Sequence, residues 1–146
     1  MSHCELSVPN DTAHLLKVRK SVLELLQSGA GVLSGKETQM IALAVDEALA
    51  NVMEHAYTED DPKSKIGITL IMDLDDTRLE VVIRDAGQRF DPTSIGEVDI
   101  RDHVRQGKKG GLGIFLMRKI MDEVNYSYKR GMHNELQMIK YFVKPS

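Results

Sequence analysis

The chain of 146 residues has one cysteine, no tryptophan, four prolines and only seven other aromatic residues, three Phe and four Tyr. A lone thiol, Cys4, excludes an internal disulfide framework and points to a reducing compartment. No apolar run comes near the roughly 20 residues needed to cross a bilayer. Residues 1–5 lack the basic start and apolar segment of a secretory signal. The expectation is a soluble cytoplasmic protein that does not engage a membrane. Neither charge sign dominates: 22 acidic against 19 basic residues leave a formal net charge of −3. That excludes the basic surplus by which proteins hold nucleic acid irrespective of sequence, so no direct nucleic-acid partner is expected. Hydrophobic and charged contents of 42% and 28% are ordinary globular values. The length has room for one domain over residues 1–146, and no internal repeat divides it.

Residues 4–8 read as a short strand ended by Pro9 and the turn pair Asn10-Asp11. Leu15, Leu16, Val22, Leu23 and Leu26 fall near helical spacing over residues 12–27, and Gly29-Ala30-Gly31 stops that helix. A second helix opens with the capping-box spacing of Ser34 and Glu37 and carries one apolar stripe through Ile41, Val45, Ala48, Leu49, Val52 and Ala56. Alternation predicts strands over 66–74 and 78–85, joined by a tight turn at Asp75-Asp76. Residues 88–109 have no sustained period, which marks either a functional lid or a misread element. A helix is expected from Ile114 to about Glu123, then strands over 125–130 and 135–143 joined at Gly131. This order predicts an α/β fold of the α+β sandwich kind, a mostly antiparallel sheet covered on one face by helices. Met53, Met72, Met117, Met121 and Met138 sit at apolar positions and read as core filling.

Three clusters could carry chemistry. Glu47, Asn51 and His55 follow one another at i, i+4 and share a helix face distinct from the apolar stripe. Such a face offers a neutral amide oxygen to a hard cation and a carboxylate that can take a proton; an ordinary solvated face would have the same spacing. Asp85 ends an apolar strand, and Gly87 follows. A carboxylate there can accept from an exocyclic amine while the glycine lets a flat ring approach, although a plain Asp-Ala-Gly turn would look alike. Finally, Gly107-Lys108-Lys109-Gly110-Gly111-Leu112-Gly113 enters a helix, where free N–H groups, the helix N-terminus and two lysines favour an anion; a hinge is the alternative.

Better-known motifs do not fit. Gly31-Val32-Leu33-Ser34-Gly35-Lys36-Glu37 is one residue short of a P-loop and has Glu37 where Ser or Thr should meet magnesium. Gly111-Leu112-Gly113 lacks the third glycine of the dinucleotide fingerprint. The five histidines make no zinc spacing with Cys4.

Taken in order, Asp46 to Tyr57, Asp85-Ala86-Gly87-Gln88-Arg89-Phe90-Asp91 and Gly110-Gly111-Leu112-Gly113 to Met117 resemble the N, G1 and G2 boxes of the GHKL ATPases. They are most similar to those of bacterial anti-sigma factors that are also serine kinases, the RsbW and SpoIIAB type. The resemblance implies a Bergerat fold that binds ATP and Mg²⁺ beneath a mobile lid. On it, Asn51 ligates Mg²⁺, Glu47 is the catalytic base or orienter, and His55 shapes the pocket. Asp85 accepts from the adenine amine, and Gly87 lets the purine lie close. Lys108, Lys109, Gly110, Gly111, Leu112 and Gly113 form the phosphate loop, and Arg101, Arg105, Lys108 and Lys109 are candidates for the terminal phosphate. The resemblance further implies a homodimer that holds a sigma factor and phosphorylates a competing anti-anti-sigma protein of the STAS fold. Arg19 matches a partner-contacting arginine on the first helix. In one departure, residues 131–135 lack the Thr that often assists adenine binding in the family. A nucleotide-dependent binding module that performs no transfer is the second expectation.

Overall fold

A computed structural model of the chain describes residues 2–9, 11–28, 33–55, 67–87, 112–129 and 133–142. Among these residues, five strands, β1 (Ser2–Val8), β2 (Ile68–Leu74), β3 (Arg78–Asp85), β4 (Glu123–Lys129) and β5 (His133–Tyr141), form one sheet in the order β1-β2-β3-β5-β4. Every described pairing is antiparallel. Among the described residues, three α-helices, α1 (Leu15–Ser28), α2 (Gly35–His55) and α3 (Leu112–Ile120), accompany it. None of them is long and apolar enough to cross a membrane.

Local chemistry explains the element starts. The Asp11 carboxylate accepts from the Ala13 N–H at 2.9 Å, which fastens a short 3-10 turn (Thr12–His14) ahead of α1. At α2 the capping box forms in both directions: Glu37 N–H donates to Ser34 Oγ at 3.1 Å, and Ser34 N–H to Glu37 Oε1 at 3.4 Å. Two of the donors left open by the first turn are thereby satisfied. The β2–β3 turn is organised by Asp75 Oδ1, which accepts from Thr77 N–H, Thr77 Oγ1 and Arg78 N–H at 2.8 to 2.9 Å.

The period of two in β2 and β3 sends Ile68, Leu70, Met72, Leu74, Leu79, Val81 and Ile83 to one face of the sheet, where all are buried. Val22, Leu26, Ile41, Val45, Ala48, Leu49 and Met117 close over them from the helices in a single core cluster. Each large aliphatic buried in this way contributes about 1.5–3 kcal/mol. The five methionines read as core filling are all buried. Small residues on α2, Ala44 and Ala48, are fully covered.

Several boundaries differ from the sequence expectation by about two residues. Helix α3 ends at Ile120 because Met121 N–H still bonds the carbonyl of Met117 while Asp122 N–H turns to that of Ile139, which carries Glu123 into β4. Strand β1 begins at Ser2 because β2 extends to Leu74 and offers it a partner. Strand β5 begins at His133, paired with Lys129 on one side, and the next residue, Asn134, pairs with Asp85 on the other. The unpatterned stretch expected to be a lid lies outside the described residues.

Candidate functional site

Helix α2 supplies two of the candidate side chains, Glu47 and Asn51. Its buried stripe faces the sheet, which leaves Glu47 half-buried and Asn51 buried on the side toward α3. Asn51 Nδ2 donates to the backbone carbonyl of Glu47 at 3.0 Å. That bond fixes the amide plane and turns Oδ1 away from the helix backbone.

Helix α3 meets this pair through Gly113. A Cβ added at Gly113 would fall 2.5 Å from Glu47 Oε2, 3.3 Å from Glu47 Cβ and 3.2 Å from Asn51 Nδ2. Only the absent side chain lets the start of α3 approach so closely. The first turn of a helix has N–H groups without intrahelical acceptors and a partial positive charge. Those donors therefore stand beside a carboxylate and an amide, an arrangement that suits an anion accompanied by a cation. Among the described residues, no group of three or more His, Cys, Asp or Glu could hold a metal alone. Asn51 and Glu47 offer hard oxygens but too few for a protein-only cage. This fits Mg²⁺, which takes few protein ligands and completes its shell with phosphate oxygens and water.

A second group gathers at the end of β3. Asp85 is 7% exposed, and its Oδ1 accepts from Gly87 N–H at 2.9 Å and from Asn134 Nδ2 at 3.0 Å. Asn134, 3% exposed on β5, donates its second amide hydrogen to the Gly87 carbonyl at 3.1 Å. The Tyr126 hydroxyl on β4 donates to Asn134 Oδ1 at 2.9 Å. Burial pushes the Asp85 carboxyl above the usual carboxylate range; the bonds from Asn134 and the Gly87 N–H, and the neighbouring His133, oppose that rise.

Among the residues expected from sequence, Glu47, Asn51 and Gly113 come together at the α2–α3 contact, and Asp85 and Gly87 come together at the end of β3. Lys108, Lys109, Gly110 and Gly111 lie outside the described residues, as do the side chains of His55 and Leu112. Arg19 is paired inside the molecule: its Nη2 lies 2.7 Å from Asp46 Oδ2, next to Glu47 in sequence. Burial raises the Asp46 carboxyl, and the arginine opposes it. The side chain of Arg19 is 43% exposed, so one side of it still faces outward. Neither Asn134 nor Tyr126 carries a local signal in the sequence. The signal that locates Asn134 is the β3–β5 register, which sets it opposite Asp85.

The family of histidine kinase-like ATPase domains matches residues 8–140. The chain is similar to the serine-protein kinase RsbW of Staphylococcus epidermidis, 33% identical over 147 residues that cover 97% of this chain and 88% of that one. Among solved structures, it is similar to the RsbU and RsbW domains of a Mycobacterium tuberculosis protein, with a TM-score of 0.66, 16% identity and 96% of this chain covered. This chain spans 32% of that longer one. The SiaB-SiaC complex from Pseudomonas aeruginosa has a TM-score of 0.67 at 15% identity, over 93% of this chain and 88% of that one. At such identities the two structural likenesses concern the fold. With a domain family matched along most of its length and a relative at 33% identity along nearly all of it, the chain belongs to the histidine kinase-like ATPases, in the group of the RsbW serine-protein kinases.

Proposed function

We propose that the protein is an anti-sigma factor and an ATP-dependent protein-serine/threonine kinase. It holds a sigma factor, and it phosphorylates a STAS-type anti-anti-sigma protein that competes for the same regulator. The observation that supports this function best is the contact of Gly113 with Glu47 and Asn51, a carboxylate and an amide beside the start of α3, where a proton acceptor and a cation ligand are needed. ATP would supply the phosphoryl group, and Mg²⁺, held through Asn51, would neutralise charge on its phosphates.

The chain's own residues do the rest by positioning. Asn51, oriented through its bond to the Glu47 carbonyl, presents Oδ1 to the cation. Glu47 orients the incoming hydroxyl and accepts its proton as the new phosphate ester forms. The N–H groups at the start of α3 hold phosphate oxygens. Asp85, with Oδ1 occupied by two donors, turns its other oxygen to the amine of adenine. Phosphoryl transfer demands little beyond alignment and charge neutralisation, so this sparse set is chemically sufficient. A homodimer belongs to the same proposal.

The alternative is a switch that binds nucleotide and transfers nothing. Retention of Glu47 against Gly113 favours the kinase, since a pure binder has no use for a proton acceptor there. The test incubates purified protein with Mg²⁺-ATP and STAS proteins encoded beside it. Phosphoserine or phosphothreonine on one of them is the expected product. Nucleotide binding with no transfer to any would support the silent switch.

A further inference from the structure

The Asp85 cluster contains more than the acceptor. Asn134 is almost fully buried, and its amide nitrogen bridges two groups of one turn, Asp85 Oδ1 at 3.0 Å and the Gly87 carbonyl at 3.1 Å. Both of these are acceptors. A flipped amide would set Asn134 Oδ1 against a carboxylate and a carbonyl, so the hydrogen-bonding pattern permits one orientation only. Tyr126 enforces it from the other side, because its hydroxyl donates to Asn134 Oδ1 at 2.9 Å. The three side chains thus form a directed chain from Tyr126 through Asn134 to Asp85, assembled from β4, β5 and β3.

We propose that Asn134, locked by Tyr126, is the residue that sets base selectivity in this site, by holding Asp85 ionised and rotated so that its second oxygen reads an exocyclic amine. This rests on the assignment of Asp85 as the adenine acceptor. A buried carboxylate with no donor would tend to take up a proton, and its O–H could then serve a ring carbonyl as well as an amine. The Asn134 donor works against that outcome, since a hydrogen bond to the charged form favours it. It also occupies Oδ1 together with the Gly87 N–H, which leaves Oδ2 as the reading oxygen. Asn134 is a positioning residue: it acts through Asp85.

The test compares two ligands on the full chain with Mg²⁺ by calorimetry: ADP, and purine riboside diphosphate, which lacks only the 6-amine. The wild-type protein should prefer ADP by about tenfold or more, the scale of one hydrogen bond to a charged group. Asn134→Ala should bring the preference to within about threefold, Tyr126→Phe should give an intermediate value, and Asn134→Ser, which keeps a donor, should recover part of it. Equal weakening of both ligands, with the preference unchanged, would mean that Asn134 is merely structural and would overturn the proposal. Asp85→Ala separates the two levels. Loss of the preference in Asp85→Ala but not in Asn134→Ala overturns only the role of Asn134. A preference that survives Asp85→Ala overturns the adenine assignment and the inference with it. Should Asn134→Ala fail to fold, Tyr126→Phe, which removes one hydroxyl and keeps the ring, decides: an unchanged preference there overturns the proposal.

Discussion

The backbone of Gly113 stands directly against the carboxylate of Glu47, so close that a methyl group on Gly113 would lie 2.5 Å from Glu47 Oε2. Replacement by alanine has two separable consequences. The obstructing atom is the far end of a flexible side chain, and alanine favours a helix by about 1 kcal/mol over glycine, so Gly113→Ala should fold with a melting temperature within a few degrees of wild type. Glu47, however, must swing aside. Displacement of a reacting group by about 1 Å costs on the order of 100-fold, and phosphoryl transfer should fall by about 10- to 100-fold. Thermal melts and a transfer assay on the same sample check both halves.

Asp85 should trade stability for binding. Its carboxyl is raised by burial even with Asn134 and the Gly87 N–H in place. A raised folded-state value means that the fold binds the proton more tightly than the unfolded chain does. Its contribution to stability is therefore full below the ordinary carboxylate value and is lost as pH rises through the raised one. Asp85→Asn removes the buried charge and keeps an acceptor at Oδ1, so at neutral pH it should be at least as stable as wild type in urea. Its nucleotide affinity should drop by about tenfold or more. Affinity of the wild-type protein should decline as pH falls through the raised Asp85 value. Calorimetric titrations at several pH values follow this directly; affinity that is flat with pH, or unchanged in Asp85→Asn, would contradict the adenine role.

The pair formed by Arg19 and Asp46 ties α1 to α2 beside Glu47. Arg19→Ala leaves Asp46, which is 20% exposed, without its cation. The pair is partly open to solvent and screened, so the expected loss is modest, about 1 kcal/mol. In an Asp46→Asn background the same arginine substitution should cost close to nothing. Urea unfolding of the four proteins in this cycle measures the difference. An equal loss in both backgrounds would show that Arg19 stabilises through other contacts.

Legibility in the sequence followed the range of the interactions. Strand β3 is legible at 78–85 because Leu79, Val81 and Ile83 alternate up to Asp85, and the start of α2 because Ser34 and Glu37 stand at capping-box spacing. Periodicity says which face a residue occupies but not where pairing stops. The ends of α3 and β4 therefore depended on Asp122 N–H reaching Ile139, a contact between distant segments. The candidate site shows the same division. Glu47 and Asn51 are one helical turn apart and readable. The partnership of Asp85 with Asn134 spans 49 residues and exists only through the β3–β5 register. Nothing local in residues 131–135 distinguishes Asn134 from a turn residue, and the approach of Gly113 to Glu47 likewise appears only once α2 and α3 pack.

Glu47 is the side chain proposed to turn a nucleotide-binding fold into a kinase. The most direct measurement is phosphoryl transfer from labelled ATP to a cognate STAS protein by wild type and by Glu47→Gln, with nucleotide affinity measured on both. Loss of a general base typically costs about 10²–10⁴-fold, so Glu47→Gln should bind nucleotide within a fewfold of wild type and transfer at least about 100-fold more slowly. Transfer by Glu47→Gln at the wild-type rate, or none by either protein despite tight nucleotide binding, would contradict the account.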